Sequence, residues 1–440
     1  MIPSNIRSDL NADLDRLERH RGRTFSELIA VAGLDPKMDL IDADLKFQDF
    51  SNQDLSGFDF TRSDVIGSNF VNAKIQDAIF DNTKADVAAL RLASDWDAVD
   101  KKQFDRDLAI WFGDQRVKVY VKNVGMVMDE STLVAIKPDN PDQNIHAFGQ
   151  QAESLRKTHG NSFRFYTPIV DGVITDVQLA EKMLGHIIEK ALANTANPPN
   201  VIISVPTSMT EVERRAISEA VLGAGALATF VIDQPVSSGI GLGLPVEEAT
   251  GSMLMEIGQS YTEVAVLSLG GQVYSRSVRT GLEEMNACVC MWLQDQHGVL
   301  IGTESANKIL DTIGSAKLPL SGDGKSVHVV GRTKRLNRQK EVEISTKDVA
   351  KAVEPIVSVL AEAIELSLEA MPPELSAEII DHGLSITGPG ARLKDLDRVL
   401  SSRIRMPVAI ADDVEDAGIS GAAFILENWA FYEGKLKIDA

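Results

Sequence analysis

The chain has 440 residues, 44% hydrophobic and 25% charged, and carries a formal net charge of −20. These proportions suit a folded protein with room for two or more cores. The acidic balance argues against a chain built to grip nucleic acid or an anionic bilayer, because phosphates reward Lys and Arg.

The polar start, Met1 to Leu10, and the lack of a long apolar run predict neither a secretion signal nor a membrane span. Leu10, Leu14 and Leu17 have helical spacing, which predicts a helix over residues 8–20 capped by Ser8. A second short helix is expected over residues 25–31, ending at Gly33 with Pro36 beyond it.

Between residues 38 and 82 an apolar residue recurs every five positions: Leu40, Leu45, Phe50, Leu55, Phe60, Val65, Phe70, Ile75 and Phe80. Two positions before most of them stands a small or neutral residue, such as Ala43, Ser63, Ser68, Ala73 or Ala78, with Phe58 the misfit. Asp44, Asp49, Asp54, Asp59 and Asp64 directly precede the apolar residue. A period of five matches neither the helical period of about 3.6 nor the strand period of about 2. It suits a coil of four short faces that turns inward at the same phase of each face and must stack to bury its core. The segment resembles the pentapeptide-repeat family. That resemblance implies a right-handed quadrilateral β-helix of roughly two turns, serving as a spacer and docking surface for a protein partner. Mimicry of DNA by the aspartates is the alternative, for which the stack is short. A helix predicted over residues 84–96, with Val87, Leu90 and Leu92 apolar, and the helices before the repeat would cap the coil's open ends. The resulting division is 1–37 helical cap, 38–82 repeat, 83–106 capping helix and linker, and 107–440 a larger domain.

From residue 107 strands and helices alternate, which predicts α/β architecture. Strands are expected at 117–121, 133–136, 201–205, 228–232 and 252–257. A hairpin is expected at 263–269 and 273–278 through Gly270-Gly271. Helices are expected at 177–192, 211–223 and 349–371, the second with a Thr210/Glu213 capping box. Residues 377–387 are read as running into a further strand. Cys288 and Cys290 lie two apart in a stretch read as buried helix. With no second Cys or His pair at metal spacing beside them, no metal site is expected, and the low cysteine content fits a reducing cytosol. The basic run from Arg332 to Lys340 reads as solvated surface.

The order of short motifs in this region is more telling. Thr210-Glu211-Val212-Glu213-Arg214-Arg215-Ala216 is followed by Thr262-Glu263-Val264-Ala265-Val266, Ile301-Gly302-Thr303-Glu304, Pro372-Pro373-Glu374-Leu375 and Ile386-Thr387-Gly388. In sequence and spacing these resemble bacterial actins of the MreB type. The resemblance implies an actin-like fold of two α/β lobes, ATP and Mg²⁺ in the cleft between them, and filaments at the inner membrane. It implies self-association or co-assembly with an MreB-type protein, and a cytoplasmic location.

Such a cleft needs glycine-rich hairpins close to the phosphates, carboxylates for Mg²⁺ and a polar group to orient water. The family's first hairpin, Asp-Leu-Gly-Thr-Ala-Asn, matches Trp111-Phe112-Gly113-Asp114-Gln115-Arg116. The second, Asp-Ile-Gly-Gly-Gly-Thr-Thr, matches Glu256-Ile257-Gly258-Gln259-Ser260-Tyr261-Thr262. By the same resemblance Gln234 and Glu256 occupy catalytic positions, and Gly113, Gly258, Glu304, Lys308, Gly388 and Gly390 occupy cofactor-binding ones. Trp111 replaces a metal-associated carboxylate, Asp114 and Tyr261 replace threonines, and Gln259 and Ser260 replace glycines. Impaired or absent hydrolysis is therefore expected, with an active ATP-dependent filament or a monomeric adaptor as the alternatives. The family's membrane loop matches residues 193–200, which hold no large apolar side chain, so direct membrane contact is expected to be weak.

Overall fold

The computed structural model describes residues 25–80, 83, 85, 87–90, 92–95, 107–138, 145–170, 173–192, 198–334 and 338–436. The helix predicted over 8–20, most of the linker and residues 193–197 of the membrane loop lie outside these residues.

In the repeat the chain returns on itself every 20 residues: parallel bridges join Asp44 to Asp64, Asp49 to Asn69, Asp54 to Lys74 and Asp59 to Ile79. Each five-residue unit turns through one left-handed residue: Asp42, Phe47, Asn52, Gly57, Arg62, Gly67, Asn72 and Asp77 all have positive φ. The aspartates have a local job. The Oδ1 atoms of Asp49, Asp54 and Asp59 accept from the amides of Ser51, Ser56 and Thr61 at 2.9–3.1 Å, holding the next turn. Inside, Phe50, Phe60, Phe70 and Phe80 are fully buried, and the rings of Phe60 and Phe80 stack at 5.1 Å. Ser68 is buried beside them and donates to Leu45 O at 2.8 Å, which is why the position must be small. Phe58, the misfit, is half-buried and packs 6.1 Å from Phe60.

The helix Phe25–Ala32 covers one end, with Phe25 edge-on to Phe50 at 4.9 Å and Gly33 turning away at φ 72°. At the other end, of the long helix expected over 84–96, the described residues form helix over Val87–Leu90 and turns at 92–95. Coil pairing wins over helix there. Asn72 N donates to Leu92 O, Ser94 N donates to Ala73 O, and the Asp95 carboxylate takes the amides of Ile75 and Gln76. Leu92 is consequently exposed.

The larger region contains two five-stranded sheets of one topology. The first comprises β1 (Leu108–Phe112), β2 (Arg116–Val121), β3 (Gly125–Ser131), β4 (Asn200–Val205) and β5 (Ala228–Asp233), in the order β5-β4-β1-β2-β3. The second comprises β6 (Ser252–Ile257), β7 (Thr262–Ser268), β8 (Gly271–Val278), β9 (Leu384–Thr387) and β10 (Val408–Ile410), in the order β8-β7-β6-β9-β10. In each, three antiparallel strands are followed by two parallel ones that need helical crossovers. The helix Val177–Leu192 closes the core under the first sheet, and Thr346–Glu369 closes that of the second.

A third core lies between the sheets, built on the helices Gln234–Gly241 and Ala417–Glu427. These cross closely because both carry glycine at the contact: a Cβ on Gly421 would sit 1.7 Å from Ser237 O, and one on Gly241 would sit 2.0 Å from Ala417 O.

The helices Val177–Leu192 and Glu211–Gly223 have the predicted bounds, and the Thr210/Glu213 capping box is formed. Three expectations change. The β7–β8 turn is Leu269-Gly270, both at positive φ, so Gly271 already belongs to a strand. Residues 377–382 complete the helix Pro373–His382, and only after Gly383 (φ 93°) does β9 begin. The helix Leu282–His297 is buried on one face only, leaving Cys288 and Cys290 half-buried and Met291 exposed. Among the described residues no helix is long and apolar enough to cross a membrane.

Candidate functional site

Because the two sheets share one topology, the turn between the first and second strand of each falls at an equivalent place. The β1–β2 turn and the β6–β7 turn face each other, joined directly by side chains. Asp114, buried in the first, accepts from Ser260 Oγ at 2.6 Å and Ser260 N at 3.3 Å in the second. Its other oxygen takes the amide of Gln115 at 2.9 Å. Burial pushes the Asp114 carboxyl up from its ordinary range, and the Ser260 bond pulls the other way. Gln115 reaches across to Glu283 at the start of the helix Leu282–His297.

Gln234 is the second tie. It is buried at the start of its helix, with Nε2 donating to Phe112 O at 2.9 Å and Oε1 accepting from Tyr261 OH at 2.9 Å. Both functional ends of the amide are thus used within the protein. Tyr261 is itself buried, and burial raises its hydroxyl well above the ordinary range.

The backbone is committed as well. Gly113 N donates to Arg116 O and Gly258 N donates to Tyr261 O, each closing its own turn. Gly258 O and Gln259 O accept from the amides of Leu282 and Glu283, so two N-terminal donors of that helix, groups suited to anions, are spent on the hairpin. A Cβ on Gly113 would stand 2.4 Å from the Trp111 ring, so the glycine makes room for tryptophan. Trp111 lies against Gly418, and its buried Nε1 has no hydrogen-bond partner.

Several acids and one lysine line the deep end. Glu256 accepts from Ser238 Oγ at 2.7 Å, and burial raises its carboxyl. Glu263 is raised well above its ordinary range, first by burial and then by the charges of Glu256 and Asp233, and its buried Oε1 has no partner. Lys118, almost fully buried, pairs with Asp416 and donates to Glu415 O at 2.7 Å. Its nitrogen stands 6.0 Å from the centre of the Trp111 ring.

The remaining expected positions fall into two groups. Gly388 (φ 89°) and Gly390 pack on the second hairpin, where a Cβ would come within 2.4 Å of Ile257 O and 2.2 Å of Ile257 Cγ2. Glu304 and Lys308 are exposed and 3.9 Å apart, and the residues of their helix that line the hollow beside Gln259 and Pro389 are Asn307, Leu310 and Asp311. Three hollows adjoin these hairpins, the largest, of about 450 Å³, being lined by Asp114, Gln115, Ser260 and Glu283 among others. Of the other two, one of about 60 Å³ is bounded by Trp111, Glu256 and Tyr261, and one of about 200 Å³ by Asn307, Asp311 and Arg392. Gln259, Pro389 and Glu415 belong to both walls.

Sequence reasoning did not single out Ser260 as a bonding partner, nor Ser238, Lys118 or Glu263. Lys118 and Glu263 did carry a signal: each is a charged residue next to a buried valine in a mostly apolar strand.

Comparison with known proteins covers both regions. The family model described as MreB/Mbl protein matches residues 105–433, and that of pentapeptide repeats matches residues 43–82 in eight copies. The chain is 37% identical over 339 residues to the cell shape-determining protein MreB of Escherichia coli (strain K12), covering 76% of this chain and 96% of the relative. The crystal structure of MreB5 of Spiroplasma citri bound to ADP superposes with a TM-score of 0.67 at 25% identity, over 75% of this chain and 98% of that one. A MamK double helical filament superposes with a TM-score of 0.60 at 16% identity, over 73% and 99% of the two chains, a likeness of fold alone.

Proposed function

The chain belongs to the MreB/Mbl family and has its actin-like fold, and from that premise we propose that it is a cytoskeletal filament or scaffold protein that binds and hydrolyses ATP weakly or not at all. The observation that carries this reading is the pair of ties across the cleft, Asp114–Ser260 and Tyr261–Gln234–Phe112. In the pose that the family resemblance implies, phosphates and Mg²⁺ lie between these two hairpins.

The residues present do not fit that group. The hollow bounded by Trp111, Glu256 and Tyr261, about 60 Å³, has room for a few waters, and the larger one of about 450 Å³ at Asp114 and Ser260 is lined by the carboxylates Asp114, Glu153 and Glu283 with Arg156 as its one cation. Trp111 stands where a metal-associated carboxylate would be. The buried Asp114 carboxyl, if ionised, would repel a phosphate directly. Gln234, the residue expected to orient water, has its amide held on both sides. Gly113 and Gly258 keep the tight turns of the family motif, but their amides close those turns.

Under this reading the side chains supply the cohesion between hairpins that a nucleotide supplies elsewhere, and assembly does not wait for ATP. The repeat, read as a quadrilateral β-helix occupying residues 38–82 ahead of the 107–440 domain, serves as the docking surface for a protein partner. Its aspartates support this over DNA mimicry, since they are turn-holding groups. A cytoplasmic location follows from the family reading. Contact with a bilayer through residues 193–200 is weak.

The test is a calorimetric titration of the full chain with Mg-ATP, alongside electron microscopy with and without nucleotide. The expected result is no saturable heat and the same filaments in both samples. Tight Mg-ATP binding with phosphate release would instead establish an active ATPase filament, and absence of assembly in either sample would leave a monomeric adaptor.

A further inference from the structure

The repeat and one hairpin of the larger region carry opposite charge, and each displays an apolar side chain that its own chain leaves uncovered. Residues 38–82 hold nine aspartates against Lys46, Arg62 and Lys74. Residues 325–340 hold six Lys or Arg and no acid. Spacing alone reads that basic run as solvated surface, but the structure gives it a shape.

The strands Ser326–Thr333 and Gln339–Ser345 pair antiparallel as a hairpin. Its tip is closed twice: Thr333 N donates to Arg338 O at 2.9 Å, and Arg338 N donates to Thr333 Oγ1 at 3.2 Å. Lys340 Nζ donates to His297 O at 2.9 Å, which fastens one flank to the end of the helix Leu282–His297. Arg332, Lys334 and Arg338 are exposed, and among the described residues none of the three pairs with a carboxylate. Glu341 and Glu343 lie further down the second strand, with Glu341 4.0 Å from His328. Val330, 57% exposed, stands between the basic tip and that acidic base.

In the repeat eight residues take left-handed turns, and Phe47 is the one bulky apolar side chain among them. A side chain of that size is disfavoured there, and burial does not compensate, since Phe47 is 78% exposed. Its ring lies over Gly67, where a Cβ would come within 2.6 Å of it. Phe47 N donates to Ile66 O at 3.1 Å, which sets the exposed Ile66 alongside. The runs that meet at this corner, 43–46 and 48–51, and those bridged to them, 63–66 and 68–71, contain Asp44, Asp49 and Asp64 against Lys46 alone. Each aspartate gives Oδ1 to a turn amide. Lys46 is shared between Asp44 and Asp64, at 3.8 and 3.2 Å.

We propose that this corner of the repeat receives the basic hairpin tip of a second copy of the chain. Val330 packs on Phe47 and Ile66, and Arg332, Lys334 and Arg338 meet the three aspartates. A guanidinium also suits the open face of the Phe47 ring. Charge selects this occupant over nucleic acid: the chain as a whole, at −20, repels a phosphate polymer, whereas the repeat offers carboxylates beside an apolar corner. The contact is heterologous, so each copy keeps one corner and one tip for further copies. It joins copies through a module outside the actin-like body and is separate from assembly through the lobes. The proposal rests on the reading of the repeat as a docking surface and names its occupant.

The test mixes full-length chains grown in ordinary and heavy-nitrogen medium and treats them with a carbodiimide, which joins a lysine amine to a carboxylate as an amide. Peptides linking Lys334 to Asp44, Asp49 or Asp64 are expected with mixed isotopes, and fewer as salt rises. Arg332→Glu with Arg338→Glu should cut their yield by about tenfold, because like charges then face each other. Phe47→Asn should cut it by about tenfold through loss of the apolar anchor. Asn52 and Asn72 already occupy equivalent turns, so this variant keeps the fold, as circular dichroism would certify. Links confined to single-isotope peptides would place the contact inside one copy. Links from Lys334 to carboxylates outside the repeat would leave the docking reading standing without this occupant. Retention of a synthetic DNA duplex by the parent and not by the arginine variant, with no mixed links, would assign the tip to nucleic acid. Each of these results overturns the proposal, as do mixed links that both variants leave unchanged. Repeat carboxylates that stay equally reactive with and without added cell extract would sink the docking reading as well.

Discussion

The repeat and the cleft reach stability by opposite routes. In the repeat the units solve the same problem with their neighbours in sequence: an inward apolar side chain in each, a small residue beside it in most, and in many an aspartate holding the turn. Contacts reach about 20 residues along the chain, as the Asp44–Asp64 bridge shows. In the cleft the ties join residues 146 and 27 positions apart, Asp114 to Ser260 and Tyr261 to Gln234. A periodic region distributes its stability over copies, whereas the cleft concentrates it in a few buried polar groups that each need one partner.

That contrast can be broken most forcefully in the repeat. Phe60 is fully buried between Phe50 and Phe80, and Phe60→Ala should cost about 3–5 kcal/mol. Urea unfolding followed by circular dichroism should show an early transition from the repeat while the larger region melts as before. A shift of the larger region's transition as well would show that the two are energetically coupled.

Next in size is the cleft. Asp114→Ala removes a buried acceptor and strands Ser260, at a cost of about 2–3 kcal/mol, read as a lower thermal midpoint. If the ties replace nucleotide, this variant should also gain measurable affinity for Mg-ATP by calorimetry. A variant of unchanged midpoint would show that the Asp114–Ser260 bond contributes nothing to cohesion.

A third prediction has the opposite sign. The Glu263 carboxyl is raised in the folded protein above its ordinary value of 4.5. Below that value both folded and unfolded chains hold the proton. As pH rises through it the unfolded chain ionises first, so stability falls with pH until the folded carboxyl also titrates. Glu263→Gln removes that loss and should raise stability at neutral pH by about 1–2 kcal/mol. Melts taken from acid to neutral pH should show a flatter dependence than the parent, and a parallel curve would remove Glu263 from the account.

The smallest effect returns to the repeat. Arg62 and Asp42 pair through two bonds of 2.7 Å on its exposed surface, where solvent and salt screen the attraction. Arg62→Ala should leave the urea midpoint unmoved, while Phe60→Ala shifts it strongly, and together they place the repeat's stability in its ring stack.

How much of this could be read from residues alone follows the same division. The period of five located every inward position of the repeat, and the aligned hairpin motifs located both turns of the cleft. Gln234 stood out through the family resemblance, but its bonds to Phe112 and Tyr261 did not, because nothing in one strand announces the side chain that a turn in the other sheet will offer. The helix expected over 84–96 gives way to turns at 92–95 for a related reason. Its helical spacing is genuine, yet the open edge of the coil at Asn72 and Ala73 offers backbone partners that a solitary helix cannot match.

Sequence by itself determined the repeat, the actin-like order of motifs and the loss of small residues at both hairpins, because these depend on spacing and on residue size at given positions. Tertiary structure alone decided that Asp114 would face Ser260 and that Glu263 would be left with a bare oxygen. Each of those outcomes depends on where two distant segments meet, and burial and partner then set the charge and the energy of the group.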